Sequence, residues 1–313
     1  MAKSSNEPKK VTKAVIAAAG FGTRFLPQTK AMPKEMLPIV DKPIIQYAVE
    51  DLVAAGIKDI IIVGSSSKRS IEDHFDAPNE DLLANLRAGG PKKEHYIKEM
   101  EAIANMANFI YIRQKGPYGN ATPLANAAHL LGDEPFIYVY ADDLVVSQPN
   151  TFTQMIGLYN RLGGSIATCM RVTTDKEFGR YGIFAGDEIE DGILKITGAV
   201  EKPGRENAPS NYAHVSSYLF EPTILEYIER GLIDLQEGSE FYVTDNLLKP
   251  MLRDEHKFFG CFLKDSKRYD TGDVVEYLKT VFDFALHDQE IGPELWEYLQ
   301  GMYQAEQAKK TVR

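Results

Sequence analysis

The residues best suited to chemistry crowd into one segment near the start of the chain, Ala17 to Pro38, which reads AAAGFGTRFLPQTKAMPKEMLP. Gly20 and Gly22 let the backbone approach a ligand closely and turn its N–H groups toward phosphate oxygens. Thr23 adds a hydroxyl, Arg24 a planar cationic fork matched to phosphate, and Lys30 and Lys34 two more positive charges. From Gly20 to Lys34 there is no helical or strand period, and so long an irregular connection inside a compact domain is usually functional. Placed after an apolar strand, the segment reads as a phosphate-binding loop. It is not a P-loop, because Gly-x-x-x-x-Gly-Lys-Ser/Thr is absent. It is not the dinucleotide fingerprint either, because Phe25 stands where the third glycine belongs.

Carboxylates supply the second candidate group. Asp142 and Asp143 close the apolar run FIYVYA (Phe136 to Ala141), and ligands of open α/β sheets bind beyond the carboxyl ends of strands. Asp270 lies in Tyr269-Asp270-Thr271-Gly272, after a later strand. Mg²⁺ takes one or two carboxylates together with substrate phosphates. Each aspartate also suits a turn or a helix cap, so residue type leaves both readings open. Two carboxylates brought together repel by about 4 kcal/mol at an effective dielectric of about 20, a penalty that a divalent cation removes. Glu201 and Lys202, in Val200-Glu201-Lys202-Pro203, form a charged turn after a strand.

Something must hold these groups in place. The first half alternates short apolar runs with helical patterns. Strands are expected at 13–19, 59–63, 109–113 and 136–141. Helices are expected at 43–55, 67–75, 123–131 and, in two pieces broken at Gly89-Gly90-Pro91, at 81–105. Apolar strands alternating with helices imply a parallel sheet covered on both faces. The second half is more mixed, with strands expected at 165–172, 181–184, 194–200, 213–220 and 256–263. Its expected helices are 223–230, 243–252 and 274–287. No Pro/Ser-rich linker divides the halves. The expectation is a polar tail at 1–11 without order, one unit at 12–290 with an inserted β-rich lobe, and a helical tail at 291–313 that packs against another subunit.

At the glycine-rich segment the resemblance becomes specific. It resembles the signature of the sugar-1-phosphate nucleotidyltransferases, and Lys34-Glu-Met-Leu-Pro38 resembles their uridylyl-transferring bacterial members. So do Val40-Asp-Lys-Pro-Ile-Ile-Gln-Tyr47, Ser66-Ser67-Lys68 and Ile71-Glu72 with His74-Phe75-Asp76. The resemblance spans roughly residues 12–290. It implies a Rossmann-like α/β fold with a mixed central sheet, helices on both faces and a β-rich sugar-side lobe. It also implies Mg²⁺ as cofactor and a homo-oligomer, dimer or tetramer. The implied reaction is transfer of a nucleotidyl group from UTP to glucose 1-phosphate. Carried over residue by residue, it implies catalytic roles for Arg24, Lys34 and Lys202 and a metal held by Asp142 and Asp270, with Asp143 beside them. Nucleotide contacts are implied for Ala19, Gly20, Gly22, Thr23, Glu35, Gln114 and Gly119, and sugar contacts for Gly182, Glu201 and Lys202.

Two stretches depart from the family pattern. The base-binding run Gln-Gly-x-x-x-Gly-x-Gly-His-Ala becomes Gln114-Lys-Gly-Pro-Tyr-Gly-Asn-Ala-Thr-Pro123, which keeps Gln114 and Gly119 but carries Ala121, Thr122 and Pro123. On the sugar side Ser216-Ser217-Tyr218 replaces a Gly-led run. The same chemistry with dTTP, CTP or another sugar 1-phosphate therefore stays open, as does a non-catalytic regulatory paralogue. A nicotinamide-dependent oxidoreductase is disfavoured by the missing third glycine.

Bulk properties narrow the rest. The 313 residues carry a formal net charge of -10, which argues against broad affinity for nucleic acid or anionic lipid. No apolar run reaches the roughly 20 residues of a membrane helix. Residues 1–10 are too polar for a secretory signal. Cys169 and Cys261 lie in apolar runs outside any Cys-x-x-Cys pattern, so both are expected as buried thiols in a soluble, cytoplasmic protein.

Overall fold

A computed structural model describes residues 9–311, with side chains through Gln307. Its strands, in chain order, are β1 (Lys13–Ala17), β2 (Pro38–Ile39), β3 (Lys42–Pro43), β4 (Asp59–Gly64), β5 (Asn108–Arg113), β6 (Phe136–Tyr140) and β7 (Asp143–Ser147) in the first half. There follow β8 (Ser165–Arg171), β9 (Ile183–Glu190), β10 (Ile193–Val200), β11 (Tyr212–Phe220), β12 (Phe258–Phe262) and β13 (Ser266–Asp270). Nine of them form one sheet in the order β5-β4-β1-β6-β11-β8-β12-β10-β9. Four neighbours at one side, β5, β4, β1 and β6, run parallel. From β11 onward the sheet is mixed, with β8 parallel to β12 and the remaining pairs antiparallel. The β-rich half thus continues the parallel half as a single sheet.

The parallel strands read as unbroken apolar runs because both faces are covered. Along them the side chains still alternate. Val15, Ile61, Val63, Phe136 and Tyr138 enter one core layer with Leu124 and Leu131 of the helix Thr122–Leu131. Ala14, Ile16, Ile60, Ile62, Ile137 and Val139 enter the other, against Ile45, Val49 and Leu52 of the helix Ile44–Ala54. Cys169 and Cys261 are free and buried, as expected.

Several boundaries differ from expectation for local reasons. β1 stops at Ala17, and the Ala18 N–H still bonds Val63 O at 2.9 Å before the chain leaves the sheet. The helix expected at 243–252 is a π-helical stretch, Val243–Leu248, running into a short α-helix, Lys249–Arg253, that contains Pro250. The strand expected at 181–184 begins only at Ile183 and continues to Glu190. The helix Thr151–Leu162, capped by the Asn150 side chain on the Thr153 N–H at 2.8 Å, was not anticipated. Nor was the two-stranded ribbon β7–β13, whose role emerges at the site. Of the tail expected at 1–11, residues 1–8 lie outside the described residues, while Val11 is buried and Lys9 pairs with Asp133. The helical tail is present as Gly292–Thr311.

Candidate active site

Residues just past the carboxyl ends of β1, β4, β5 and β6 (Ala19 and Gly20, Ser65, Gln114, Asp142) line one cavity of ≈ 560 Å³. That is where a parallel sheet offers a ligand the most unpaired backbone and loop. A second cavity of ≈ 530 Å³ adjoins it and receives Arg24, Gly182, Glu201, Lys202, Thr244 and Asp270. Asn120, Tyr140 and Asp142 line both, so the two chambers meet at the end of β6.

The irregular loop after β1 is built of three single 3₁₀ turns, Thr23–Phe25, Gln28–Lys30 and Lys34–Met36. The first turns Arg24 across the cleft, where its Nη1 donates to Gly272 O at 3.0 Å. The third aims Lys34 at Asp142, and the Lys34 ammonium pairs with Asp142 Oδ2. Burial opposes both charges. The pairing outweighs it and holds the Lys34 ammonium above, and the Asp142 carboxyl below, their ordinary values.

Asp270 reaches the same place by pairing. β13 runs antiparallel to β7 in a register that sets Asp270 opposite Asp143, beside the turn that carries Asp142. Thr271 Oγ1 donates to Asp142 O at 2.7 Å and closes that turn. A Cβ built on Gly272 would lie 2.9 Å from Asp142 Oδ2 and 3.3 Å from Asp270 Oδ1, so the two carboxylates face a gap that one methyl group would fill. Hard oxygen donors on either side of such a gap fit Mg²⁺, which needs no more than one or two carboxylates when phosphates complete its shell. Among the described residues no group of three or more His, Cys, Asp or Glu is arranged to hold a metal ion by itself, so no self-sufficient protein cage competes with this pair.

Cations answer the acids. Arg180 Nη2 stands 2.5 Å from Asp270 Oδ2. Arg268 grips Asp143 with Nε at 2.7 Å and Nη2 at 2.9 Å, and its Nη1 donates to Tyr181 Oη at 2.8 Å. Asp143 also accepts the Ser216 N–H at 2.9 Å, so it anchors the wall of the cleft and leaves Asp142 to face the opening. At the far end Glu201 is enclosed and Lys202 half exposed, its Nζ 3.5 Å from Glu201 Oε1 and over the Tyr242 ring. A Cβ on Gly182 would come within 3.2 Å of both Glu201 Oε2 and Thr244 Oγ1, which places that glycine against the same wall.

Most of the expected residues converge on the cleft: Ala19, Gly20, Lys34, Gln114, Gly119 and Asp142 on one chamber, Arg24, Gly182, Glu201, Lys202, Asp142 and Asp270 on the other. Three do not. Glu35 is fully enclosed on the inward side of the turn that presents Lys34; its Oε2 accepts from Lys68 Nζ at 2.7 Å, and its Oε1 has no partner among the described residues. Burial raises the Glu35 carboxyl above its ordinary value. Gly22 uses its carbonyl to accept from Thr29 Oγ1 at 2.7 Å, and Thr23 opens into a neighbouring cavity with Lys30 and Lys68. These three shape the loop from behind.

The departing base loop is tied down firmly. Gly119 has a φ of +128°, and a Cβ there would lie 2.1 Å from Phe241 O, so no side chain fits. Ala121 N–H donates to Phe241 O at 2.9 Å, and Thr122 Oγ1 to Pro117 O at 2.9 Å. Asn120 Oδ1 accepts from the Val243 N–H at 2.8 Å, linking the loop to the π-helical stretch. Arg180, Arg268, Asn120 and Tyr140 were not anticipated. Arg180 lies two residues before Gly182, which the resemblance had marked, whereas Arg268 lies on a strand, β13, that no local pattern announces.

A sheet that opens at its strand ends onto a cation-lined, two-chambered cleft with facing carboxylates is the arrangement of an enzyme that joins two phosphorylated substrates. The chain belongs to the nucleotidyl transferase family, whose family model matches residues 13–285. Within it, the chain is 41% identical to the UTP–glucose-1-phosphate uridylyltransferase of Bacillus subtilis (strain 168), over 96% of this chain and 99% of that protein. Among solved structures it is similar to a UDP-glucose pyrophosphorylase complexed with UDP-glucose (36% identity, TM-score 0.77, covering 88% of this chain and 98% of that one). It is likewise similar to a UTP-bound UGPase from Acinetobacter baumannii (32% identity, TM-score 0.81, covering 93% and 99%).

Proposed function

We propose that the chain transfers a uridylyl group from UTP to glucose 1-phosphate, giving UDP-glucose and pyrophosphate, with Mg²⁺ held by Asp142 and Asp270. The observation that carries this reading is the meeting of the two chambers at Asp142, near Asp270, with Arg24, Lys34 and Arg180 beside them and Lys202 farther along the second chamber. The names of the similar uridylyltransferases and pyrophosphorylases support the choice of substrates.

An oxygen of the sugar phosphate attacks the α-phosphorus of UTP; the new P–O bond forms as the bond to pyrophosphate breaks. The attacking oxygen is already anionic, so no Ser–His or Cys–His pair has to generate a nucleophile. The obstacle is repulsion between two anions, and Mg²⁺, when bound, neutralises part of the triphosphate charge. Gly20 and the loop around it receive the triphosphate, and Gln114 meets the uracil edge. Arg24 and Lys34 stabilise charge growing on the α-phosphate. Lys202, extended and half exposed, takes the phosphate of the sugar, while Glu201 accepts from sugar hydroxyls. Lys34 and Arg180, which cap the two metal-facing carboxylates, become available to phosphate oxygens once the carboxylates are otherwise satisfied.

Pyrophosphate release measured with UTP, dTTP, CTP and ATP against a panel of sugar 1-phosphates tests the reading. The expected result is highest turnover with UTP and glucose 1-phosphate; preference for another nucleotide or sugar would overturn the substrate assignment. Among the described residues no helix is long and apolar enough to cross a membrane. A homo-oligomer is the reading we favour for the exposed Trp296, Tyr298, Met302 and Tyr303 of the C-terminal helix, and light scattering after size exclusion would test it.

A further inference from the structure

We propose that the hydroxyl of Tyr140 is a specificity-determining hydrogen-bond donor to the sugar portion of the sugar 1-phosphate, an inference that rests on the reading above. Tyr140 is the last residue of β6, two before Asp142 and on the same face, and it lines both chambers where they meet. Its Oη is buried yet has no hydrogen-bond partner among the described residues. A buried donor left unmade is costly, and such orphans in a binding cleft point to a partner that arrives with the ligand.

The surroundings indicate which ligand. The ring packs edge-to-face on Tyr138 at 5.5 Å, on His214 at 6.0 Å and on Tyr218 at 6.5 Å between centroids, so three aromatic groups fix its position. His214 and Tyr218 belong to the chamber of Glu201, Thr244 and Gly182, and neither lines the chamber of Gln114. Glu201 lines the same chamber, so the hydroxyl stands on a wall that also carries an accepting carboxylate. A neutral donor beside an accepting carboxylate, on an aromatic wall, suits the hydroxyls of a hexose. It offers little to a phosphate, which the cations already serve.

The test is Tyr140→Phe, which keeps the ring and removes only the oxygen. Wild type and variant are compared by pyrophosphate release with UTP against glucose 1-phosphate and its 2-, 3-, 4- and 6-deoxy analogues, with thermal melting as a check on folding. The expected result is a roughly 10-fold fall in kcat/KM for glucose 1-phosphate and an unchanged KM for UTP. One deoxy analogue that wild type uses poorly should be used equally by both proteins, which a merely structural role would not produce. An active wild type whose variant shows unchanged sugar kinetics, or a loss confined to UTP, overturns the role of the hydroxyl alone. A wild type that releases pyrophosphate with none of the sugar phosphates overturns this inference together with the reading on which it rests.

Discussion

At the residue scale the site is an exchange of partners among charges. Asp142 and Asp270 face a gap that one methyl group would fill, and each is held by a cation of the chain itself, Lys34 and Arg180. On the proposed metal role, Asp142→Asn or Asp270→Asn lowers pyrophosphate release by about 10³-fold or more, because a bound metal and the electrostatics around it would each carry several kcal/mol. Gly272→Ala is a subtler probe. Its methyl group would press on Asp142 Oδ2, and we expect turnover to fall by about 10²-fold with little change in melting temperature, the signature of misplaced rather than missing groups. Much of this was legible in the residues. Gly20, Arg24, Lys34, Asp142, Glu201 and Lys202 stand in a loop or at strand ends, where type and position both point to ligands. Glu35, a nucleotide contact by resemblance alone, is buried and paired with Lys68, because a 3₁₀ turn sets adjacent side chains about 120° apart and so turns it away from the face that Lys34 presents.

At the scale of elements, the ribbon of β7 and β13 decides the geometry. Its register brings Asp270 beside Asp142 across the length of the chain. No local pattern announces such a pairing: Ser266–Asp270 reads SKRYD, polar enough to pass for a turn, and only its partner makes it a strand. The helix Thr151–Leu162 did carry a signal, an asparagine cap ahead of an apolar period, which a reading centred on the flanking strands passed over. Behind the loop after β1, Lys68 precedes the helix Arg69–Phe75 and locks the loop through Glu35. Lys68→Met should leave Glu35 buried and unpaired, destabilising the fold by about 3–5 kcal/mol in denaturant titrations, whereas the double change with Glu35→Leu should recover much of that loss. On β11, His214 is buried, stacked on Tyr218 at 3.8 Å, and its pKa is pushed down by burial to about 3. The unfolded chain therefore binds a proton below pH about 6.5 that the folded chain refuses, and stability falls as pH drops from there toward the folded value. Between pH 7.5 and 5 this should cost about 2 kcal/mol, and His214→Gln should show a correspondingly smaller loss of denaturation midpoint over the same interval.

At the scale of the whole molecule, one sheet serves two tasks. Its parallel half was readable from alternating apolar runs and helices, and it supplies the strand ends that line the first chamber. Its mixed half continues from β6 through β11 and brings Glu201 and Lys202 round to face the first half, while the separate β7–β13 ribbon brings Asp270. The crossing from one half to the other lies in long-range strand order, which a reading of local periods cannot see. The central claim is that a single ligand can occupy both chambers, with its phosphates at Asp142. A crystal structure of this protein with UDP-glucose measures that most directly. The account predicts the uracil near Gln114, the glucosyl group against Glu201 and Thr244 and under the Tyr140 hydroxyl, and the diphosphate between Asp142 and Asp270. UDP-glucose bound outside the two joined chambers, or with its phosphates remote from both aspartates, would contradict it.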